Sequence, residues 1–129
     1  MVSVCVTFLN GEQFAGRIIE SCLKQTYHNI QVVMVDDAST DKSGEVIQAY
    51  AAKDPRVKYH RNPEKVGLTK SVEQMYELAD GEFVIWLGVD DWLAVDAIEQ
   101  GVKSFREHPG AGAVMPRVVS LRETGPAKF

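Results

Sequence analysis

Cysteine, histidine and proline are scarce, with two, three and five among 129 residues. Two cysteines make neither a disulfide framework nor a zinc site. Cys5 lies in an apolar, strand-like run and Cys22 in a helix-like one, where a reduced thiol serves as a small hydrophobe. Basic residues are outnumbered too, 14 Lys and Arg against 18 Asp and Glu, for a net charge of −4. A protein that grips a nucleic-acid backbone usually carries a basic face, so this balance points away from nucleic acid. No apolar run approaches the roughly 20 residues of a transmembrane segment. Met1 is followed at once by strand pattern, without the basic start of a signal peptide. These absences predict a soluble, cytoplasmic domain, working at the inner face of the membrane if a longer parent chain attaches it there.

What is present is ordinary in amount, with 45% hydrophobic and 25% charged residues. That composition and length fit one domain with a core that needs no staples. Residues 1–123 are expected to form it, with 124–129 as a tail. Val2–Phe8 is β-branched and almost wholly apolar, as a strand covered on both faces must be. Asn10-Gly11 breaks it, and an amphipathic helix follows from Phe14 to about Gln25. Ile30–Val35 reads as a second buried strand. Ser39-Thr40-Asp41 then signals the start of a helix over Ser43–Lys53, which Asp54-Pro55 ends.

Val57–His60 reads as a short third strand, Thr69–Leu78 as a helix and Phe83–Leu87 as a fourth strand. A helix over Val95–Glu107 and a strand over Ala113–Leu121, interrupted by Pro116, complete the pattern. Strands alternating with helices predict parallel βαβ units and a three-layer α/β/α sandwich with a mostly parallel, Rossmann-like sheet.

In such a sheet ligands bind beyond the carboxyl ends of the strands. Thr7, Leu9, Asn10 and Glu12 follow the first strand, and Asp36, Asp37 and Ser39 the second. Arg61, Lys65 and Gly67 follow the third, with Lys70 in the next helix. Asp90, Asp91 and Trp92 follow the fourth. Twice, then, an apolar run ends in adjacent aspartates, in VVMVDDAST and in VIWLGVDDWL. Two carboxylates about 4 Å apart repel by roughly 4 kcal/mol at an effective dielectric of 20. A dication reverses that sign and also neutralises a diphosphate. Oxygen donors without histidine favour Mg²⁺ or Mn²⁺ over Zn²⁺. Each pair read alone is also explained by turn and capping residues. Two pairs at one rim favour a ligand.

The motifs resemble, in order over residues 2–118, those of the inverting family 2 glycosyltransferases of GT-A fold. VSVCVTFLNGEQF resembles the family's opening strand, and SCLKQTYHNIQVVMVDDASTDKSGEVI its Q-T-Y and V-D-D-x-S-T-D motifs. DPRVKYHRNPEKVGLTKSV resembles the stretch ending in G-L, and LADGEFVIWLGVDDWLAVDAIE the L-D-x-D-D region. The resemblance implies an enzyme that binds a nucleotide-diphosphate sugar, commonly a UDP-sugar. It would transfer the sugar, with inversion, to a hydroxyl of a glycan or lipid-linked acceptor in cell-surface polysaccharide synthesis. It implies nucleotide contacts at Thr7, Leu9, Asn10, Glu12, Asp36, Asp37, Gly67, Lys70 and Asp90, and a metal on Asp90 and Asp91.

Three departures stand out. Gly88 replaces the first acid of L-D-x-D-D, Leu9 replaces an aromatic that stacks on the base, and no residue matches the family's general base. His28, His60 and His108 read as surface, core or helix-end residues. A chain without the acceptor-binding half is expected to bind donor rather than complete the transfer, and to be able to pair through a free sheet edge as a homodimer. Two other readings compete. One is a non-catalytic module of the same family acting in binding or assembly. The other is a receiver-type signalling domain, which needs acids after its first strand, where this chain has Thr-Phe-Leu-Asn.

Overall fold

The computed structural model describes residues 1–115. Four strands, β1 (Val2–Phe8), β2 (Ile30–Asp36), β3 (Val57–Arg61) and β4 (Phe83–Leu87), form one sheet in the order β3-β2-β1-β4. All three strand pairings are parallel. The helices between and after them are α1 (Glu12–Leu23), α2 (Ser43–Ala51), α3 (Leu68–Leu78) and α4 (Ala97–Glu107). The predicted sandwich is therefore present. Every strand and helix expected before residue 108 is found, with ends shifted by a few residues. The strand expected over Ala113–Leu121 is not seen at Ala113–Met115, and its remaining residues and the 124–129 tail lie outside the described residues.

The register explains the two apolar strands. Val4 pairs with Val32 and Val6 with Met34, and these four side chains join the larger core under α1, α2 and α4. Cys5 pairs with Val33 and points to the opposite face, where Val33, Val35 and Met75 of α3 enclose it. Both cysteines are buried and free, and burial pushes each thiol up to about 12, so neither is a nucleophile at neutral pH. In α1, Ala15, Ile18, Ile19 and Cys22 form the one buried stripe. Ile98 and Val102 do the same for α4, and Phe105 stacks on Phe83 with ring centres 4.7 Å apart. Among the described residues no helix covers the second face of β4, where Val84 and Trp86 are exposed.

Candidate functional site

The parallel sheet brings the carboxyl ends of all four strands to one rim. The chain winds from β1 out through β2 to β3, then returns to the other side of β1 as β4. The order thus reverses between β1 and β4, and a crevice for ligand is expected there. The loops on its two sides touch. A Cβ on Gly11 would lie 2.7 Å from Val89 Cγ2, so glycine lets the β1–α1 loop approach the loop after β4. Beneath them Trp86 Nε1 donates to Thr7 Oγ1 at 3.4 Å.

The β2 pair is enclosed. Asp36 has no exposed surface: one oxygen accepts from Ser39 N–H at 2.7 Å and the other from Tyr59 O–H at 2.7 Å. Burial, then the bond to Asp36, pushes the Tyr59 hydroxyl up to about 12, so it stays a donor. Arg61 lies 3.8 Å from the same carboxylate and donates to Ser39 O at 2.7 Å. Asp36 therefore lies under the rim and shapes it through Ser39, Tyr59 and Arg61.

Asp37 is 6% exposed. Its Oδ1 accepts from Val66 N–H at 2.7 Å and Asn62 Nδ2 at 3.3 Å, and its Oδ2 from Gly67 N–H at 2.9 Å. Burial alone would raise its pKa, but the bonds from Val66, Asn62, Gly67 and Ser71 prevail and hold it below the ordinary value. Asp37 thus fastens the β3–α3 loop. Gly67 begins α3 at φ 89°, a left-handed angle suited to glycine, and Lys70 stands exposed in the first turn.

The β1–α1 and β2–α2 loops are laced together. Asn10 N–H donates to Ser39 Oγ and Asn10 Oδ1 accepts from Thr40 N–H, both at 2.8 Å. Gly11 N–H reaches Ser43 Oγ at 2.8 Å, Glu12 N–H reaches Asp41 Oδ2 at 3.0 Å, and Lys42 N–H reaches Glu12 Oε2 at 3.3 Å. The Asp41 carboxylate also accepts from Ser43 N–H and Ser43 O–H just ahead of α2, whose N-cap position is Lys42. Leu9, which follows β1, is 40% exposed.

The β4 pair is open. Asp91 Oδ2 accepts from Gly88 N–H at 2.9 Å while Asp91 N–H donates to Gly88 O at 3.1 Å, closing a tight turn. Asp90 is exposed, and among the described residues nothing hydrogen-bonds its carboxylate. A Cβ on Gly88 would lie 2.8 Å from Asp90 Oδ1 and 3.2 Å from Asp91 Oδ2. The two carboxylates therefore lean over one small space above the glycine. Among the described residues no group of three or more His, Cys, Asp or Glu is placed to hold a metal. Two hard carboxylates still suit a partial shell, since Mg²⁺ commonly takes one or two and completes its octahedron with water and phosphate oxygens.

A family model for glycosyl transferase family 2 matches residues 3–128. The chain belongs to that family. It is 36% identical over 100 residues to an uncharacterized glycosyltransferase of Haemophilus influenzae, which covers 78% of this chain and 40% of the relative. It is 31% identical to the chondroitin synthase of Escherichia coli over 83% of this chain and 16% of that one. Among solved structures, S. aureus TarS 1-349 in complex with UDP-GlcNAc superposes with a TM-score of 0.78 at 25% identity, covering 90% of this chain and 37% of TarS. A mannosyltransferase from Pyrobaculum calidifontis, in complex with GDP-Man and Mn²⁺, superposes at 0.74 and 26% identity, over 81% and 32%. The chain thus spans well under half the length of these relatives. Its fold is that of the GT-A glycosyltransferases.

Several residues of the site carry no signal as single letters. Asn62 and Ser71 support Asp37 from 25 and 34 positions away, and only the fold brings them there. Arg17, Ser21, Gln25 and Thr26 hold the loop beyond Asp91. Gln25 and Thr26 belong to the Q-T-Y motif visible in the sequence, but no role follows from the letters.

Proposed function

We propose that the chain is the donor-binding part, residues 1–123, of an enzyme that transfers a sugar from a nucleotide diphosphate, with inversion, to a hydroxyl of a glycan or lipid-linked acceptor. One observation carries the reading: Asp90 and Asp91 converge over Gly88 where strand order reverses, in a chain of glycosyl transferase family 2. The uridine or other base would lie in the crevice near Thr7, Leu9 and Asp37, with Gly67 and Lys70 toward its diphosphate. Asp90 and Asp91 would hold Mg²⁺ or Mn²⁺. When bound, the metal supplies positive charge to the diphosphate as the sugar–phosphate bond breaks. Thr7, Asp37, Gly67 and Lys70 would orient the nucleotide. Among the described residues no helix is long and apolar enough to cross a membrane. A cytoplasmic enzyme acting at the membrane's inner face accords with a nucleotide-sugar donor.

Calorimetric titration with UDP, GDP and their sugar conjugates, with and without Mn²⁺, tests the proposal. Metal-dependent binding of one nucleotide class is expected. Absence of binding by every nucleotide, with metal present, would favour a non-catalytic module instead.

A further inference from the structure

We infer that Gln25 is a positioning residue, whose side-chain amide locks the Gly88–Asp96 loop to the end of α1 and so sets where Asp90 and Asp91 stand. The inference rests on the proposed role of those acids. Gln25 lies just past α1, 1% exposed, and its amide makes three bonds. Nε2 donates to Ser21 O at 3.1 Å and to Ala94 O at 2.6 Å, and Oε1 accepts from Ile98 N–H at 3.0 Å. The orientation of the amide is fixed by these partners, because a flipped group would set its oxygen against two carbonyls and its NH₂ against an N–H.

Neighbouring residues continue the lock one position at a time. Arg17 stacks on Trp92, with Cζ 4.1 Å from the ring centre, and Ser21 Oγ accepts from Leu93 N–H at 3.2 Å. Thr26 N–H donates to Val95 O at 2.9 Å, and its hydroxyl reaches Glu99 Oε2 at 2.8 Å. Arg17, Ser21 and Gln25 follow at four-residue spacing, so one stripe of α1 and its extension meets Trp92, Leu93 and Ala94 in turn. The loop contributes little itself. Besides the Gly88–Asp91 turn, its internal tie is Ala97 N–H to Ala94 O at 3.0 Å, where α4 begins. No hydrogen bond within the loop fixes the segment between Asp91 and Ala94, and among the described residues Gln25 is the one buried side chain that bonds both the end of that segment and the first turn of α4. Partners of this indirect kind decide the orientation of metal ligands.

Hydrogen exchange of the chain carrying Gln25→Leu reads the lock directly. The amides of Asp91, Leu93, Ala97 and Ile98 are expected to exchange about tenfold faster or more, relative to those of β1 and β2, because a local opening has become easier. Gln25→Glu keeps the acceptor for Ile98 N–H but loses both donated bonds. It should loosen the segment around Ala94, whose carbonyl loses its donor, more than Ile98, and Gln25→Met, which removes the amide without burying a charge, serves if the leucine variant does not fold. Val57→Ala, on β3, controls for general destabilisation: it should raise exchange in β2, with which Val57 pairs, at least as much as in the loop, so that the ratio does not rise. In parallel, Gln25→Leu should weaken Mn²⁺-dependent UDP binding about 10- to 100-fold while leaving metal-free UDP affinity unchanged. Loop exchange that rises no more than exchange in β1 and β2 overturns the inference. So does loop loosening without loss of metal-dependent affinity. If the unmodified chain binds no nucleotide with Mn²⁺, the proposed function fails, and the exchange ratio alone then decides whether Gln25 holds the loop.

Discussion

The chain places an Asp-Asp pair after β2 and another after β4, and the two meet opposite fates. At Asp36-Asp37 every carboxylate oxygen has a protein donor, and the pair is buried. At Asp90-Asp91 one acid closes a turn on Gly88 and the other stands in solvent. A carboxylate already satisfied by backbone N–H groups is a structural anchor. One left open beside a second carboxylate is repelled by it, and a cation offsets that repulsion. The same dipeptide thus shapes the rim in one place and, in the proposed function, faces the ligand in the other. The surroundings supply the difference: β2 is central and has β3 beside it to provide Tyr59, Asn62 and Val66, whereas among the described residues β4 has β1 alone beside it.

The comparison breaks most sharply if the open pair is silenced. Asp90→Asn is expected to lower Mn²⁺-dependent nucleotide affinity about 100-fold or more, since a carboxylate ligand is lost outright. It should leave the thermal midpoint within a degree or two, because no protein bond is lost. Calorimetry and a thermal melt check both halves. Asp37→Asn should do the reverse to stability, costing about 1–3 kcal/mol at pH 7 by leaving Gly67 N–H facing an amide instead of a carboxylate.

That loss has a pH signature. The Asp37 carboxyl titrates below its ordinary value in the folded chain, so its contribution is complete above the unfolded pKa and disappears as pH falls through the folded pKa. The stability gap between Asp37→Asn and the unmodified chain, measured by urea unfolding, should therefore close in acid. A gap that persists unchanged down to pH 2 would mean that the charge of Asp37 is not what holds the loop.

The two regions also show what the sequence makes legible. Periodicity gave the strands and helices up to residue 107, because β1 and β2 are apolar on both faces and α1 is apolar on one stripe. Rim positions followed from parallel topology, and so both acid pairs were found. Their division of labour was hidden. It depends on Tyr59, Asn62 and the Val66 N–H, whose approach to Asp36 and Asp37 is a product of strand order rather than of nearby letters. Asn10 and Glu12 likewise read as ligand contacts, while the fold also uses them to lace two loops together through Thr40, Asp41 and Lys42. Gly88 read as a missing acid. Its meaning in space is that both remaining carboxylates approach the backbone there.

That meaning yields a smaller test. In Gly88→Ala the new Cβ must displace the Asp90 and Asp91 carboxylates, which are flexible enough to swing away. Metal-dependent nucleotide affinity is then expected to fall about three- to tenfold, with little change in stability, consistent with a 1 Å misplacement rather than a lost ligand. An affinity equal to that of the unmodified chain would show that the metal does not use the space above residue 88.

The smallest expected effect belongs to the buried pair. Ala38 follows Asp37 with φ 63°, left-handed for a residue with a Cβ, and so carries strain of about 1–2 kcal/mol. Glycine removes that strain but costs about 0.5–1 kcal/mol in unfolded-chain entropy. Ala38→Gly should therefore gain between about 0 and 1.5 kcal/mol, a rise of at most several degrees in thermal midpoint. Because the turn keeps its shape, the bonds from Ser39 N–H to Asp36 and from Val66 N–H to Asp37 should survive, and nucleotide affinity should not move. A gain in stability accompanied by a loss of affinity would mean that the strained turn itself holds the rim in its binding geometry, and would shift Asp36-Asp37 from anchor toward ligand contact.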